Sequence, residues 1–528
     1  MKKIILTSLL ALAALGAGAQ TADDGLLFSE NEYSGTARTV AMGNAFTALG
    51  GDIGSITLNP AGSAVNKFSQ FSFTPMVKLN YSYSKINADH DYSANGTDYA
   101  SMVRAYPLNN IGAIAYFDTH NRYGLKGISF GFVANMTKSY ADKYIGRGMS
   151  PNTSYMGQLA AGLNGFSSDY LDDAKAYLNP DCSWREIVGW RSGMVFNLNN
   201  DPTDYIGASE KITNNNGEIG LGGPLQQHFI CKTTGSKHDI AFNVGHNFDD
   251  VLYVGGNIGI TTFEYKLDEV FSGYAVNPQD FPNEFKNGVT YFDNMSAQYS
   301  YKAEGAGVYG KIGLIWVPIK QLRFAFTAQT PTLTEINETW QNYGEVIFTD
   351  KQYSGSEKSI VGEYKYNLIS PYRLSAGAAV NFGIGLVSAE YEMCDYGTMR
   401  FRSAYDSYSN EYDKLNSEIP YYASISHMFR VGTEFRIIPT LAVRAGYSLT
   451  TSPLIEYKNN DRLFKHMVAT GIGYNSKGSF YCDAAVACRM NPRLYTKVYD
   501  DYIDGYMSPE LSTSNDITEI LFTLGWRF

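Results

Sequence analysis

The rhythm of its turns limits what this chain can fold into. From residue 67 to 528 the sequence divides into segments in which apolar and polar residues alternate: 67–85, 101–118, 125–139, 236–248, 251–266, 298–317, 321–332, 359–382, 384–400, 418–437, 440–452, 462–475, 478–491 and 513–528. Each has strand length, and alternation gives a strand two unlike faces. The gaps are short, then long, in turn. Residues 119–124, Asp249-Asp250, 318–320, Gly383, Ile438-Pro439 and Ser476-Lys477 are tight; 140–235, 267–297, 333–358, 401–417, 453–461 and 492–512 are long. A sheet that crosses a bilayer and closes on itself has this pattern, with an even strand number and both termini on the tight-turn side. The expected fold is all-β, a transmembrane antiparallel β-barrel of about 14 strands.

The faces agree. Leu441, Val443, Ala445 and Tyr447 are assigned to lipid, with Arg444 and Gly446 to the lumen. Leu374, Ala376, Ala378, Val380 and Phe382 point out, with Arg373 and Asn381 in; Val387, Ala389, Tyr391 and Met393 point out, with Glu390 and Glu392 in. Charges keep inward because one at the lipid midplane costs about 2–4 kcal/mol. The chain ends in a strand with Ile520, Phe522, Leu524, Trp526 and Phe528 on one face. As an open edge this strand would aggregate; closure into a barrel removes the edge. The 41 Tyr and 29 Phe suit strands and membrane–water interfaces.

Residues 1–19 read as a secretory leader: Lys2 and Lys3, an apolar stretch from Ile4 to Leu15, and Ala17-Gly18-Ala19 as cleavage site. After it there is no apolar run long enough for a membrane helix. The net charge of −10 argues against nucleic acid as a partner. The five cysteines make no dense framework; pairing of Cys182 with Cys231 stays open. The seven histidines have no metal-ligand spacing, and there is no phosphate loop or nucleophile elbow. The expectation is a non-enzyme without cofactor or metal.

Residues 20–66 do not read as strand and are expected to form a plug, with the barrel over 67–528 and an insertion at 140–235. Ala37 to Leu49 has helical spacing and ends at Gly50-Gly51. Asp52 is placed to cap a second short helix, and Asn59-Pro60 forces a break. Small residues let such helices pack in a tube, and a barrel of this width needs a stopper. In the insertion, Met156, Leu159, Ala160, Leu163, Phe166, Tyr170, Leu171, Ala174 and Tyr177 fall on one helical face.

The stretch "ARTVAMGNAFTALGGDIGSITLNPAGSA" (37–64) resembles the N-terminal hatch of the FadL/TodX family of outer-membrane transporters for long-chain fatty acids and other hydrophobic compounds. "GLIWVPIKQLRFAFTAQTPT" (313–332), "SPYRLSAGAAVNFG" (370–383) and "RVGTEFRIIPTLAVRAGYSLTTSPL" (430–454) resemble its hairpins. The resemblance implies a fourteen-stranded barrel with a hatch in the lumen, passive uptake of hydrophobic small molecules, and gating at Met42, Phe46, Asn59, Pro60 and Ala61. It implies sideways exit at the third strand, which maps to 125–139 with Gly127 and Gly131. Arg373, Arg436, Arg444 and Lys311 are candidates for a ligand carboxylate. Leu159, Leu163, Phe166 and Tyr170 are candidates for an outer capture groove. Expected partners are the ligand, outer-membrane lipids and, through the strand ending at Phe528, the barrel-assembly machinery; a monomer is expected. A haem receptor or adhesin using His228 or His238, and a general porin, are the alternatives.

Overall fold

The computed structural model describes residues 20–528 apart from 88–98, 151, 174, 180, 214–216, 286, 406–409, 456–462 and 477. The expected leader lies outside the described residues, as does Ala174. Fourteen strands form one closed wall. They are β1 (Gln70–Asn87), β2 (Tyr99–Ala105, continued by Leu108–Asp118), β3 (Leu125–Ser139, continued by Asp142–Ser150), β4 (Leu225–Phe248) and β5 (Leu252–Ala275). Then follow β6 (Gly288–Ile319), β7 (Leu322–Gln329, continued by Leu333–Phe348), β8 (Gly362–Ile369, continued by Arg373–Asn381) and β9 (Gly385–Asp395, continued by Arg400–Ser403). The last are β10 (Ile425–Ile438), β11 (Leu441–Thr451), β12 (Phe464–Asn475), β13 (Phe480–Met490) and β14 (Glu510–Arg527). Each pairs antiparallel with the next, and β14 returns to β1 from Gln70↔Arg527 to Asn87↔Glu510. Closure satisfies the backbone groups that lipid would leave unpaired.

The side-chain pattern places the bilayer. Ile258, Ile312, Val431, Val468, Ile472 and Phe522 point outward and are exposed. Beside the tight turns lies an aromatic girdle: Trp316 with Phe324 at 5.9 Å, Phe382 with Phe435 at 5.8 Å, and Trp526 with Phe480 at 5.6 Å and Phe71 at 6.4 Å. The tight turns have the expected chemistry. Asp249 and Asp250 both sit at positive φ (57° and 60°), as short hairpins demand.

The wall is taller than the sequence predicts. β4 and β5 have 24 residues each and β6 has 32, whereas a crossing takes about 9–11. Most of 267–297 and 333–358 is therefore strand, and the insertion between strands narrows from 140–235 to 151–224. The reason is on the outer face. Above Ile260 and Val308 it carries Lys266 paired with Glu264, Lys302 with Glu304, and Lys365 with Glu335. There the wall stands in water, so its outside is charged and reads like a loop.

Three helical readings also change. The helix expected over 37–49 is short (α2, Ala37–Ala41), because Gly43 and Asn44 take positive φ. An unforeseen helix, α1 (Ala22–Ser29), opens with a capping box between Thr21 and Asp24. The expected helical face of 156–177 breaks into α3 (Tyr155–Leu163), α4 (Ser168–Asp172) and a single turn at Ala176–Leu178, with Gly165 at φ 93° between the first two. Helices α5 (Trp184–Arg191) and α6 (Asp413–Tyr422) complete the set. All five cysteines are free, so Cys182 and Cys231 are not joined.

Replacing outward Ile472 by Arg is expected to destabilise the folded barrel by about 2–4 kcal/mol. Asp268→Arg, above the bilayer, is expected to stay within about 0.5 kcal/mol. Reversible urea unfolding in lipid vesicles, followed by tryptophan fluorescence, reads both.

Candidate functional site

The N-terminal segment fills the lumen in two tiers. The lower tier is the hatch, residues 36–66. Thr36 caps α2, and the Ala37 amide donates to Thr523 Oγ1 at 2.7 Å. The Asp52 side chain accepts from the Gly54 amide and opens a 3-10 turn, Ile53–Ile56. Asn59 opens a second, Pro60–Ala64, with Pro60 at its first position. Asn59 is central: its Oδ1 accepts from the Ala61 amide, and its Nδ2 donates to the carbonyls of Thr47 (2.7 Å) and Leu314 (3.1 Å). It thereby joins both halves of the hatch to β6.

Two devices seat the hatch. The first is absent side chains. The backbone of Met42 and Gly43 lies on Gly432 and Gly446, and Pro60 lies on Gly255; a Cβ at any of these wall glycines would overlap hatch backbone. The second is donated hydrogen bonds. Wall side chains around the barrel reach hatch oxygens: Asn135 to the Thr57 hydroxyl (2.7 Å), Asn243 to the Pro60 carbonyl (2.9 Å), Asn257 to that of Ile56 (2.9 Å), Lys311 to that of Thr57 (2.8 Å) and Arg323 to that of Leu49 (2.6 Å). A coiled segment in a tube has many such carbonyls, and burial without partners is costly. Met42 and Phe46 are fully buried, with the Arg38 guanidinium 5.3 Å from the Phe46 ring.

The ligand-carboxylate candidates separate. Arg373 pairs with Glu392 at 3.4 Å. Arg444 pairs with Glu434 (2.8 Å) and Asp483 (2.6 Å), and Glu434 is shared with Arg38. Lys311 is occupied by the hatch. Only Arg436 of the four has neither ion pair nor side-chain hydrogen bond among the described residues, and it lines the mouth on the tight-turn side. Sequence reasoning did not single out Arg430, the hub of the lumen. It is buried between Glu390 (2.6 Å) and Glu392 (2.8 Å), with its guanidinium 4.3 Å from the Tyr33 ring. The inward parity of Arg430 was the available signal.

The upper tier starts at the extended residues 30–35. Glu30 accepts from Lys138 on β3 and Lys465 on β12; Lys237 on β4 donates to the Phe28 carbonyl (2.7 Å), and Arg373 on β8 to that of Ser29 (2.9 Å). Above this latch, α1 pushes Leu26 and Phe28 into an aromatic compartment. Phe28 stacks on Phe263 at 4.6 Å and meets Tyr265 edge-on at 6.0 Å; Tyr140, Tyr299, Tyr301, Tyr366 and Tyr396 belong to the same cluster. Between the tiers a central cavity of about 70 Å³ remains, lined by Glu30, Tyr33, Arg373, Glu392, Arg430 and Lys465 among others.

A cap formed by 151–224 covers the top. Leu159 and Leu163, candidates for a capture groove, are buried inside it, because α3 packs on α5 and on the strand tops; Phe166 and Tyr170 are half-buried against the same core. Leu159 borders a small cavity with Arg185, Val188, Phe271 and Tyr299, and Arg185 pairs there with Glu269 at 3.1 Å. His228 meets Tyr274 in a tilted ring contact at 5.1 Å and His238 bonds Ser236; no group of three metal-binding side chains forms among the described residues.

The wall is broken beside β3. The ladder between β2 and β3 runs only from Asn110↔Asn135 to Asp118↔Gly127. Above it, among the described residues, Tyr99–Ala105 shares a ladder only with β1 and Asp142–Ser150 only with β4, while the Ser101 hydroxyl donates across to the Lys143 carbonyl. The upper piece of β3 turns inward across β1. The Ala141 carbonyl accepts from Asn80 (2.9 Å) and the Ile145 carbonyl from Ser84 (2.7 Å), while Asp142 accepts from Asn515 of β14 (2.7 Å). Gly127 and Gly131 lie below this break, inside the intact ladder, where they make room for the Tyr116 ring and Ile56. The divergence lies at Tyr140-Ala141, just above a bulge at Thr137 whose carbonyl accepts from the Glu32 amide (2.6 Å).

Two predictions follow from these charges. Arg430→Met leaves buried Glu390 without its cation and Glu392 with Arg373 alone, and is expected to cost about 3–5 kcal/mol, whereas Arg436→Met is expected to cost under about 0.5 kcal/mol; thermal denaturation in detergent compares them. In the cap, burial pushes the carboxyls of Glu186 and Glu210 up to about 7. Each raised carboxyl keeps in the folded cap a proton that the unfolded chain has released. The stabilisation is therefore complete below the ordinary carboxylate range and is lost as pH rises through about 7. Amide exchange across 151–224 is expected to quicken as pH rises through neutrality, after correction for intrinsic rate, and Glu210→Gln to flatten that rise.

No family model matches the chain, and no curated protein matches it. Solved structures similar to it include the Pseudomonas putida toluene transporter TodX, at 12% identity over 94% of this chain and 99% of that one, TM-score 0.47. A TodX monoaromatic hydrocarbon channel mutant shows 12% identity over 95% and 100%, TM-score 0.48. A Pseudomonas aeruginosa FadL homologue shows 10% identity over 94% and 98%, TM-score 0.49.

Proposed function

We propose that this chain is an outer-membrane channel for passive entry of hydrophobic small molecules, long-chain fatty acids among them, with its N-terminal segment as the gate. One observation carries the reading: the aromatic compartment of the upper lumen holds Leu26 and Phe28 of the chain's own N-terminus. A compartment that buries two apolar side chains of a tethered segment suits a free apolar molecule of similar size.

The route runs from the cap into this compartment and out through the break beside β3, whose rim carries exposed Tyr106 and Leu108. Release into lipid needs no energy source, since burial there is favourable for an apolar molecule. The hatch pivots at Asn59-Pro60-Ala61, where both halves and the wall meet, and Met42 and Phe46 anchor its far side. A general porin fits less well, because the hatch occupies the lumen and is bonded to the wall through Asn135, Asn243, Asn257, Lys311 and Arg323. The protein acts as a monomer surrounded by outer-membrane lipid, assembled through its terminal strand, and carries out no reaction.

The test is uptake of labelled decanoate and toluene into vesicles with a lipopolysaccharide outer leaflet. Protein-dependent, saturable uptake is expected, and Phe28→Ala is expected to raise it several-fold by loosening α1, a core truncation of about 3–5 kcal/mol. Equal rates with and without protein sink the proposal.

A further inference from the structure

Beneath the hatch, on the tight-turn side, is a second chamber of about 370 Å³. Its roof is the underside of the hatch, including Leu49, Asp52 and Val65, and its rim is built from the turns, including Gln321, Asn381, Pro439 and Asn475. Five guanidiniums face it, those of Arg38, Arg323, Arg436, Arg444 and Arg527, against three carboxylates, those of Asp52, Glu434 and Asp483.

The imbalance is local. Arg38 and Arg444 are consumed by Glu434 and Asp483. Asp52 is turned to the Thr36 hydroxyl (2.7 Å) and the Gly54 amide (2.9 Å). That leaves three guanidiniums with no carboxylate. Arg323 spends one N–H on the Leu49 carbonyl. Arg527 spends one on Asn475 (2.9 Å), and its Nε is buried with no partner. Arg436 makes neither ion pair nor side-chain hydrogen bond among the described residues. In the lumen above, by contrast, Arg373, Arg430 and Lys465 all have carboxylates. Guanidinium forks suit a planar anion, which they can grip with two bonds each. The chamber also has an apolar strip, Leu49, Val65 and Phe68, with the Arg527 guanidinium 5.1 Å from the Phe68 ring.

We propose that this chamber is a binding site for an amphiphilic monocarboxylate, its head on the Arg436 guanidinium and its tail along the underside of the hatch. It gives cargo that carries a carboxylate a second, periplasmic way out. Neutral cargo has no reason to use it. The inference deepens the channel reading and rests on it for the origin of the carboxylate, but the chamber is present whatever crosses the lumen.

The experiment is calorimetric titration of the full-length protein in non-ionic detergent at low salt with hexanoate, hexanol and acetate. Hexanoate is expected to bind, and Arg436→Gln to weaken it about tenfold, with Arg436→Lys in between. Because the Arg436 side chain has neither ion pair nor hydrogen bond to lose among the described residues, the variant's melting temperature is expected to match the parent's, which separates a lost ligand bond from a lost fold. Hexanol reports the aromatic compartment and is expected to be indifferent to Arg436. Hexanoate binding that is unchanged in both Arg436 variants overturns the proposal. Acetate binding as tightly as hexanoate overturns the role of the tail and leaves a site for soluble carboxylates. Failure of hexanol alone counts against the channel reading and not against the chamber.

Discussion

Lipid accepts no unpaired backbone group, and the arrangement of this molecule follows from that. A sheet in a bilayer must leave no edge, so β14 has to reach β1, and the strand number has to be even for both ends to meet on one side. Closure at this circumference creates a tube too wide for the inward side chains alone to fill. The chain fills it with its own first residues, and the same constraint then returns inside. The plug is mostly coil, so its carbonyls must be answered by the wall, and Asn, Lys and Arg on the inner face answer them.

Charge inside the tube is organised by height. At mid-lumen, carboxylates and cations are matched around Arg430, which satisfies buried charge and fixes the hatch from above. In the upper compartment the polar groups are mostly tyrosine hydroxyls, and Glu338 collects two of them. On the channel reading proposed above, rings with a wet end and an apolar face suit a passage that holds apolar molecules loosely. At the lower mouth five guanidiniums meet three carboxylates.

The strands within the bilayer were readable because lipid enforces alternation: Val443, Ala445 and Tyr447 against Arg444 and Gly446 leaves no other register. The hatch caps were readable for a local reason, since Asp52 and Asn59 each bond an amide two residues on. What escaped has physical causes. Above the lipid, residues such as Lys266 and Glu304 put charge on the outer face and erase the contrast that marks a strand. Helix α1 has its apolar residues side by side at Leu26, Leu27 and Phe28, which gives no helical period. Whether an inward arginine is paired is not a property of its own strand. Arg436 lies opposite Ala442, and Arg444 opposite Glu434, so one is left alone and the other is not. The break beside β3 likewise comes from where the chain turns inward at Tyr140-Ala141, and the glycines earlier in that strand do not mark it.

The latch at Phe28, Ser29 and Glu30 has a mechanical meaning. Lys138, Lys237, Arg373 and Lys465 come from β3, β4, β8 and β12 and converge on three consecutive residues. A tether fixed to four staves at once cannot slip by degrees, since letting go of one leaves the other three holding the same short span. On the channel reading proposed above, such a stopper behaves as a switch, and passage through one molecule is quantal, stepping between shut and open with no drift between them.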